Sequence, residues 1–170
     1  MTDDRADLEA CWPRLASEPY NITSARSRRY NCVAWISQDQ SRWWEPQERG
    51  GFYWPEGLPK EDFSLANYLA AFRTLGFERC ADGALTDGVE KIAVYVDDAG
   101  EFTHVAVQLD DGWWSSKLGH FNDVSHQGLE SLLRGRPLTY GENFIFMARR
   151  RLRSSRPRSG LLVVQRHQSS

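Results

Sequence analysis

A cysteine, a histidine and a small set of polar side chains carry the chemistry in this sequence. Cys32 stands in YNCVAWI, at the head of an apolar turn. A thiol at a helix N-terminus feels the partial positive charge of unpaired backbone N–H groups, which favours thiolate, and Arg28 and Arg29 push the same way. The same segment reads as core, because free cysteine is among the most buried residue types. His104 opens the strand-like run FTHVAVQL. Alternation puts His104, Ala106 and Gln108 on one face and Val105, Val107 and Leu109 on the other, so the imidazole is not committed to an apolar core. An imidazole beside a thiol can take its proton and later protonate a leaving group.

A third group should accept a hydrogen bond from the imidazole. A two-residue turn at Asp110–Asp111 registers His104 against Lys117, with Ser116 one residue off the pair. An ammonium cannot accept, which leaves Ser116, His120, Asn122 and Asp123. Gln108 is a candidate oxyanion donor or substrate contact. Cys11 and Cys80 have no comparable setting.

These groups need elements to hold them. A short helix is expected from Asp3 to Leu15, stopping at Pro13 or Pro19. Residues 22–29 read as a loop. A helix from Asn31 to about Gln40 has Asn31 or an upstream Ser as its cap and is apolar on all sides, hence buried. Residues 42–59, rich in Trp, Gly and Pro, sustain neither helix nor long strand. Ser64 to Leu75 places Leu65, Leu69 and Phe72 on one helical stripe, with Gly76 past the end. Lys91–Val96, Phe102–Leu109 and Trp113–Leu118, separated by DDAG and DDG, form a three-stranded antiparallel meander. A helix from Gln127 to Leu133 and a last strand from Asn143 to Ala148 complete the body.

The chain has 170 residues, 41% of them hydrophobic, and seven Trp. That suits one domain with a real core. No run approaches the roughly 20 apolar residues of a membrane span, and the acidic N-terminus has no apolar stretch of the signal-peptide kind. Cytoplasmic residence without membrane contact is the expectation, with export by a route lacking a signal peptide left open. Three widely spaced cysteines do not make a disulfide framework or a zinc site. No metal or organic cofactor is implied.

Net charge is −2 but uneven, because the last acidic residue is Glu142 and seven of the 21 Lys and Arg lie from Arg149 onward. The tail RRRLRSSRPRSG reads as disordered and solvated rather than as a nucleic-acid contact. The expected organisation is a polar segment over residues 1–21, an α+β domain over 22–150 and a basic disordered tail over 151–170.

The layout resembles the papain-like cysteine peptidase superfamily, in particular its NlpC-type amidase and endopeptidase branch. There a cysteine heads a helix packed on an antiparallel sheet, a histidine starts the second sheet strand, and a polar residue about a dozen positions later completes a triad. The resemblance places Cys32, His104 and Ser116 in those roles. A serine departs from the superfamily's usual His, Asn, Asp or Gln, and the oxyanion glutamine or tyrosine has no assigned counterpart unless Tyr30 serves. More narrowly, YNCVAW, EKIAVYVD, THVAVQLDDGWWSSKLG and YGENFIFMARR resemble an uncharacterised bacterial domain family over Ile22 to about Arg150.

The resulting expectation is a thiol hydrolase or acyl transferase acting on an amide in a peptide, a peptidoglycan stem or a protein side chain. Gln108, Tyr30, Trp44, Trp54, Trp114 and Lys117 are its candidate oxyanion or substrate contacts. The rival is a non-catalytic peptide- or glycan-binding module, or a degenerate member of the same fold, with Cys32 in its core. The cluster of Trp43, Trp44, Phe52, Tyr53 and Trp54 reads either as a stacking wall beside the cysteine or as rings that pin an irregular loop. Substrate and oligomeric state are not legible.

Overall fold

In the computed structural model, residues 3–133 and 140–151 are described. The expected basic tail over 151–170 lies outside them except for Arg151. Twelve elements follow one another: α1 (Asp4–Cys11), a 3-10 turn (Pro13–Ser17), β1 (Tyr20–Ile22), α2 (Cys32–Ile36), α3 (Leu65–Thr74), β2 (Glu78–Arg79), β3 (Val89–Val96), β4 (Phe102–Gln108), β5 (Trp114–Lys117), β6 (Asp123–His126), a second 3-10 turn (Leu129–Leu132) and β7 (Asn143–Arg150). The strands form one antiparallel sheet in the order β1-β6-β5-β4-β3-β7-β2. The architecture is α+β, a seven-stranded sheet with few helices.

Capping sets the helix starts. Asp3 accepts from the Arg5 N–H, Asn31 Oδ1 from Ala34 N at 3.1 Å, and Ser64 Oγ from Asn67 N at 3.3 Å. Each side chain satisfies an N–H that the first turn leaves unpaired. Pro13, which lacks an N–H, ends α1 and opens the 3-10 turn. The expected helix from Asn31 to Gln40 is shorter, because Gln38 turns to a φ of 63°.

Both faces of the sheet are covered. On one face α2, α3 and the aromatic loop pack Ala34, Ile36, Trp44, Trp54 and Phe72 on Ile92, Val94, Val105 and Val107. On the other, Leu8, Trp12 and Leu15 from the N-terminal segment pack on Ala93, Tyr95, Ala106, Trp114 and Val124. The described part of residues 1–21, read from sequence as a polar segment, therefore supplies core. His104 is consequently buried, only 1% exposed, on a face that strand alternation alone leaves open.

Three strands escaped the sequence reading: β1, β2 and β6, of three, two and four residues. Most of the expected Gln127–Leu133 helix is the 3-10 turn, and His126 ahead of it belongs to β6. The aromatic loop is pinned by its own rings, with Trp44 bridged to Tyr53 and their centroids 4.5 Å apart. Among the described residues no helix is long and apolar enough to cross a membrane.

Candidate active site

The β4–β5 connection decides which side chain His104 meets. A two-residue turn at Asp110–Asp111 would pair His104 with Lys117. The loop has three residues instead, since Leu109 N bonds Trp113 O at 2.7 Å and Gly112 takes a φ of +87°, open to glycine at no steric cost. Val107 then pairs with Ser115. That one-residue change moves Ser116 to the His104 face and Lys117 to the opposite one. Ser116 Oγ lies 3.0 Å from His104 Nε2.

A bulge aims the histidine. Tyr95 pairs with His104 but Val96 pairs with Phe102, so Thr103 is the extra residue. Bulges beside functional groups redirect the neighbouring side chain. Thr103 Oγ1 donates to Tyr95 O and accepts from Gly141 N, both at 3.0 Å. Gly141 permits that approach, since a Cβ there would meet the Val96 carbonyl at 2.1 Å. Tyr140, one residue earlier, stacks on the His104 ring at 4.3 Å and 6°, and Tyr95 meets it edge-on at 5.2 Å.

Cys32 begins α2 directly after its cap, and α2 packs on β4 and β5. The cysteine is half-buried. Together with His104, Thr103, Tyr140, Trp43 and Glu45 it lines a cavity of about 250 Å³. A helix end alone favours thiolate. Instead, desolvation pushes the thiol up to about 11, although the backbone N–H groups of Val105, Val33 and Cys32 itself and the charge of Lys117 oppose it. Burial outweighs a single short helix end. His104 is held well below its ordinary value by burial and by the nearby His126. Burial thus favours the neutral form of both side chains.

The remaining sequence candidates divide. Lys117 is fully buried, donating to the carbonyls of Ser27, Gly119 and Phe121, and desolvation brings it down to about 8. It adds positive charge near the sulfur but borders no cavity wall with it. Tyr30 donates to Asp123 Oδ2 at 2.7 Å, with burial and that carboxylate raising its phenol. Gln108 is committed to Gly83 O at 2.7 Å and does not line the cavity. Trp44, Trp54 and Trp114 are core residues, whereas Trp43 lines the cavity, donates to Glu45 at 3.0 Å and stacks on His120 at 5.0 Å.

Tyr140 and Glu45 at the cavity, and His126 behind it, were not among the residues named from the sequence, whereas Trp43 belongs to the aromatic cluster named there. Ser116 Oγ also lies 2.9 Å from His126 Nε2, and His126 Nδ1 lies 2.8 Å from Gly128 O. The available signal for His126 was the VSH alternation in NDVSHQ, which a helix assignment over the following residues obscured.

Residues 21–148 match the family model of a domain of unknown function, DUF7689. No curated protein and no solved structure matches the chain.

Proposed function

The chain belongs to the DUF7689 family, a domain of unknown function, and from its own geometry we propose that it is a thiol hydrolase or acyl transferase acting on an amide. Cys32 is the nucleophile, His104 the general base and acid, and Ser116 the group that orients the ring. One observation carries this reading: Cys32 and His104 share the wall of one cavity while His104 Nε2 is engaged by Ser116. Among the described residues His104 makes no other side-chain hydrogen bond, and this reading gives Nδ1 to the thiol. A cysteine-headed helix on an antiparallel sheet with the histidine on a sheet strand is also the papain-like arrangement, and we propose that relationship as the origin of the site.

The proton balance is simple. The thiol proton passes to His104 Nδ1 as sulfur adds to the carbonyl carbon, giving a tetrahedral intermediate. Collapse breaks the C–N bond, and the imidazolium returns its proton to the departing amine. Water, or an acceptor amine or alcohol, then attacks the thioester with the same imidazole as base, which restores the thiol. A thiol at about 11 and a neutral imidazole make proton transfer concerted with attack, rather than a preformed ion pair. The N–H groups of Cys32 and Val33, which hydrogen-bond the sulfur, are the donors this reading assigns to the developing oxyanion.

Alkylation with iodoacetamide tests the nucleophile. Cys32 is expected to react faster than Cys11 and Cys80 once normalised for access, and to lose that advantage in His104→Ala. Uniform slow labelling of all three thiols, unchanged in His104→Ala, would overturn the reading. The raised thiol favours a second reading, a binding module whose cavity takes a peptide or glycan against Trp43. That reading requires ligand binding to survive in Cys32→Ala and to be lost in Trp43→Ala.

A further inference from the structure

We propose that His126 is a positioning residue that decides, through Ser116, which nitrogen of His104 carries the proton. Its value to catalysis rests on the thiol–imidazole reading above; the tautomer itself does not.

Three linked contacts fix the direction of every hydrogen bond. Gly128 O lies 2.8 Å from His126 Nδ1, and a carbonyl only accepts, so Nδ1 carries a proton. His126 is wholly buried, and desolvation brings it down to about 4, so the ring is neutral and Nε2 presents a lone pair. The hydrogen between Ser116 Oγ and His126 Nε2, 2.9 Å apart, must therefore be the serine's own. A hydroxyl has one hydrogen. Towards His104 Nε2, at 3.0 Å, Ser116 then offers only a lone pair, and His104 must donate. With its proton on Nε2, neutral His104 keeps Nδ1 bare, the form that accepts a thiol proton. The reverse polarity would need His126 doubly protonated in a buried site.

The sheet builds this chain from register alone. Trp114 pairs with His126 and Ser116 with Val124, so Ser116 and His126 are diagonal neighbours on one face, within reach of long side chains. Extending the β4–β5 register makes His104 and Ser116 diagonal neighbours on that same face. Tyr140 and Tyr95 hold the His104 ring plane. The other groups near His126 are Glu18, which favours its charged form but is outweighed by burial, and Ser131, which donates to Glu18 at 2.5 Å.

Long-range proton–nitrogen correlation spectra of 15N-histidine-labelled protein at neutral pH read the tautomers directly. The parent is expected to show His126 as Nδ1–H and His104 as Nε2–H; either opposite assignment overturns the proposal, and this arm needs no variant to fold. In His126→Leu the serine hydroxyl loses its acceptor and turns to His104 Nε2, so the His104 proton moves to Nδ1. His126→Gln, whose Oε1 can accept from Ser116, should keep the parent pattern. A His104 that stays Nε2–H in folded His126→Leu would overturn the proposal. Iodoacetamide labelling of Cys32 should fall about tenfold in His126→Leu and recover in His126→Gln. Were Cys32 to show no His104-dependent reactivity even in the parent, the thiol reading above would fail while a tautomer switch would still support the role of His126. Unchanged tautomers beside a reactive Cys32 would sink the positioning role alone.

Discussion

The two faces of the sheet are both buried, yet they are filled by different physics. Beneath α2 and α3 the contacts around Phe72, Ile36, Ile92, Val94 and Val107, all fully buried, are aliphatic and aromatic, with Lys117 and Asp123 buried on the same face beside Tyr30. Beneath the N-terminal segment, the same strands carry His104, Ser116 and His126 in a continuous hydrogen-bonded file, with Tyr95 donating to Leu129 O at 2.7 Å. An apolar face draws its stability from area removed from water and is indifferent to pH. A face with neutral buried imidazoles is stable only while those rings remain unprotonated. The file ends at the cavity that Cys32 lines.

Four measurements break or sharpen that contrast. The largest effect is expected at the apolar face: Phe72→Ala should cost about 4 kcal/mol in urea unfolding, as for aromatic truncation in a close-packed core, with the same loss at pH 7 and at pH 5. Next comes acid. His126 titrates at about 4 in the folded protein against an ordinary 6.5, so between those values the unfolded chain binds more protons than the native one. Stability therefore falls as pH drops through that window, by on the order of 3 kcal/mol for this residue, and His104 adds in the same direction. His126→Gln should flatten the acid limb of a stability–pH curve; a parent curve already flat from pH 7 to 4 would erase the distinction between the faces.

His104→Ala separates chemistry from stability, with an expected drop of about 100-fold in the iodoacetamide rate at Cys32, the lower range for removing a positioned base. The smallest effect is expected at the border between the two regions. Tyr30→Phe deletes the donor to Asp123 Oδ2, and among the described residues Asp123 Oδ1 has no hydrogen-bond partner. A loss of about 1–2 kcal/mol is expected from unfolding curves, with Cys32 labelling unchanged within about twofold, because Tyr30 does not line the cavity.

Local rules were legible residue by residue. Asn31 and Ser64 announced the starts of α2 and α3, Gly76 the end of α3, and the alternation in VAVQL the strand that carries His104. Cys32, His104 and Ser116 were all named from the sequence, although Ser116 was separated from Lys117 only by the chemistry of an acceptor. The lining of the cavity was only partly legible. Trp44, Trp54 and Trp114 had the right chemistry for a stacking wall, but hydrophobic rings are drawn first into the core, and only Trp43 remained at the cavity.

What the sequence determined by itself was therefore the set of elements and the side chains able to do chemistry, because capping, turn preference and strand alternation act over a few residues. The tertiary structure decided the partners. A single extra residue in the Asp110–Asp111–Gly112 loop turned Ser116, rather than Lys117, toward His104. The N-terminal segment closed over a face that alternation had left open, and dense packing raised a thiol that a helix end alone would lower. Each of these depends on long-range register and on the removal of water by distant parts of the chain, which local sequence patterns do not encode.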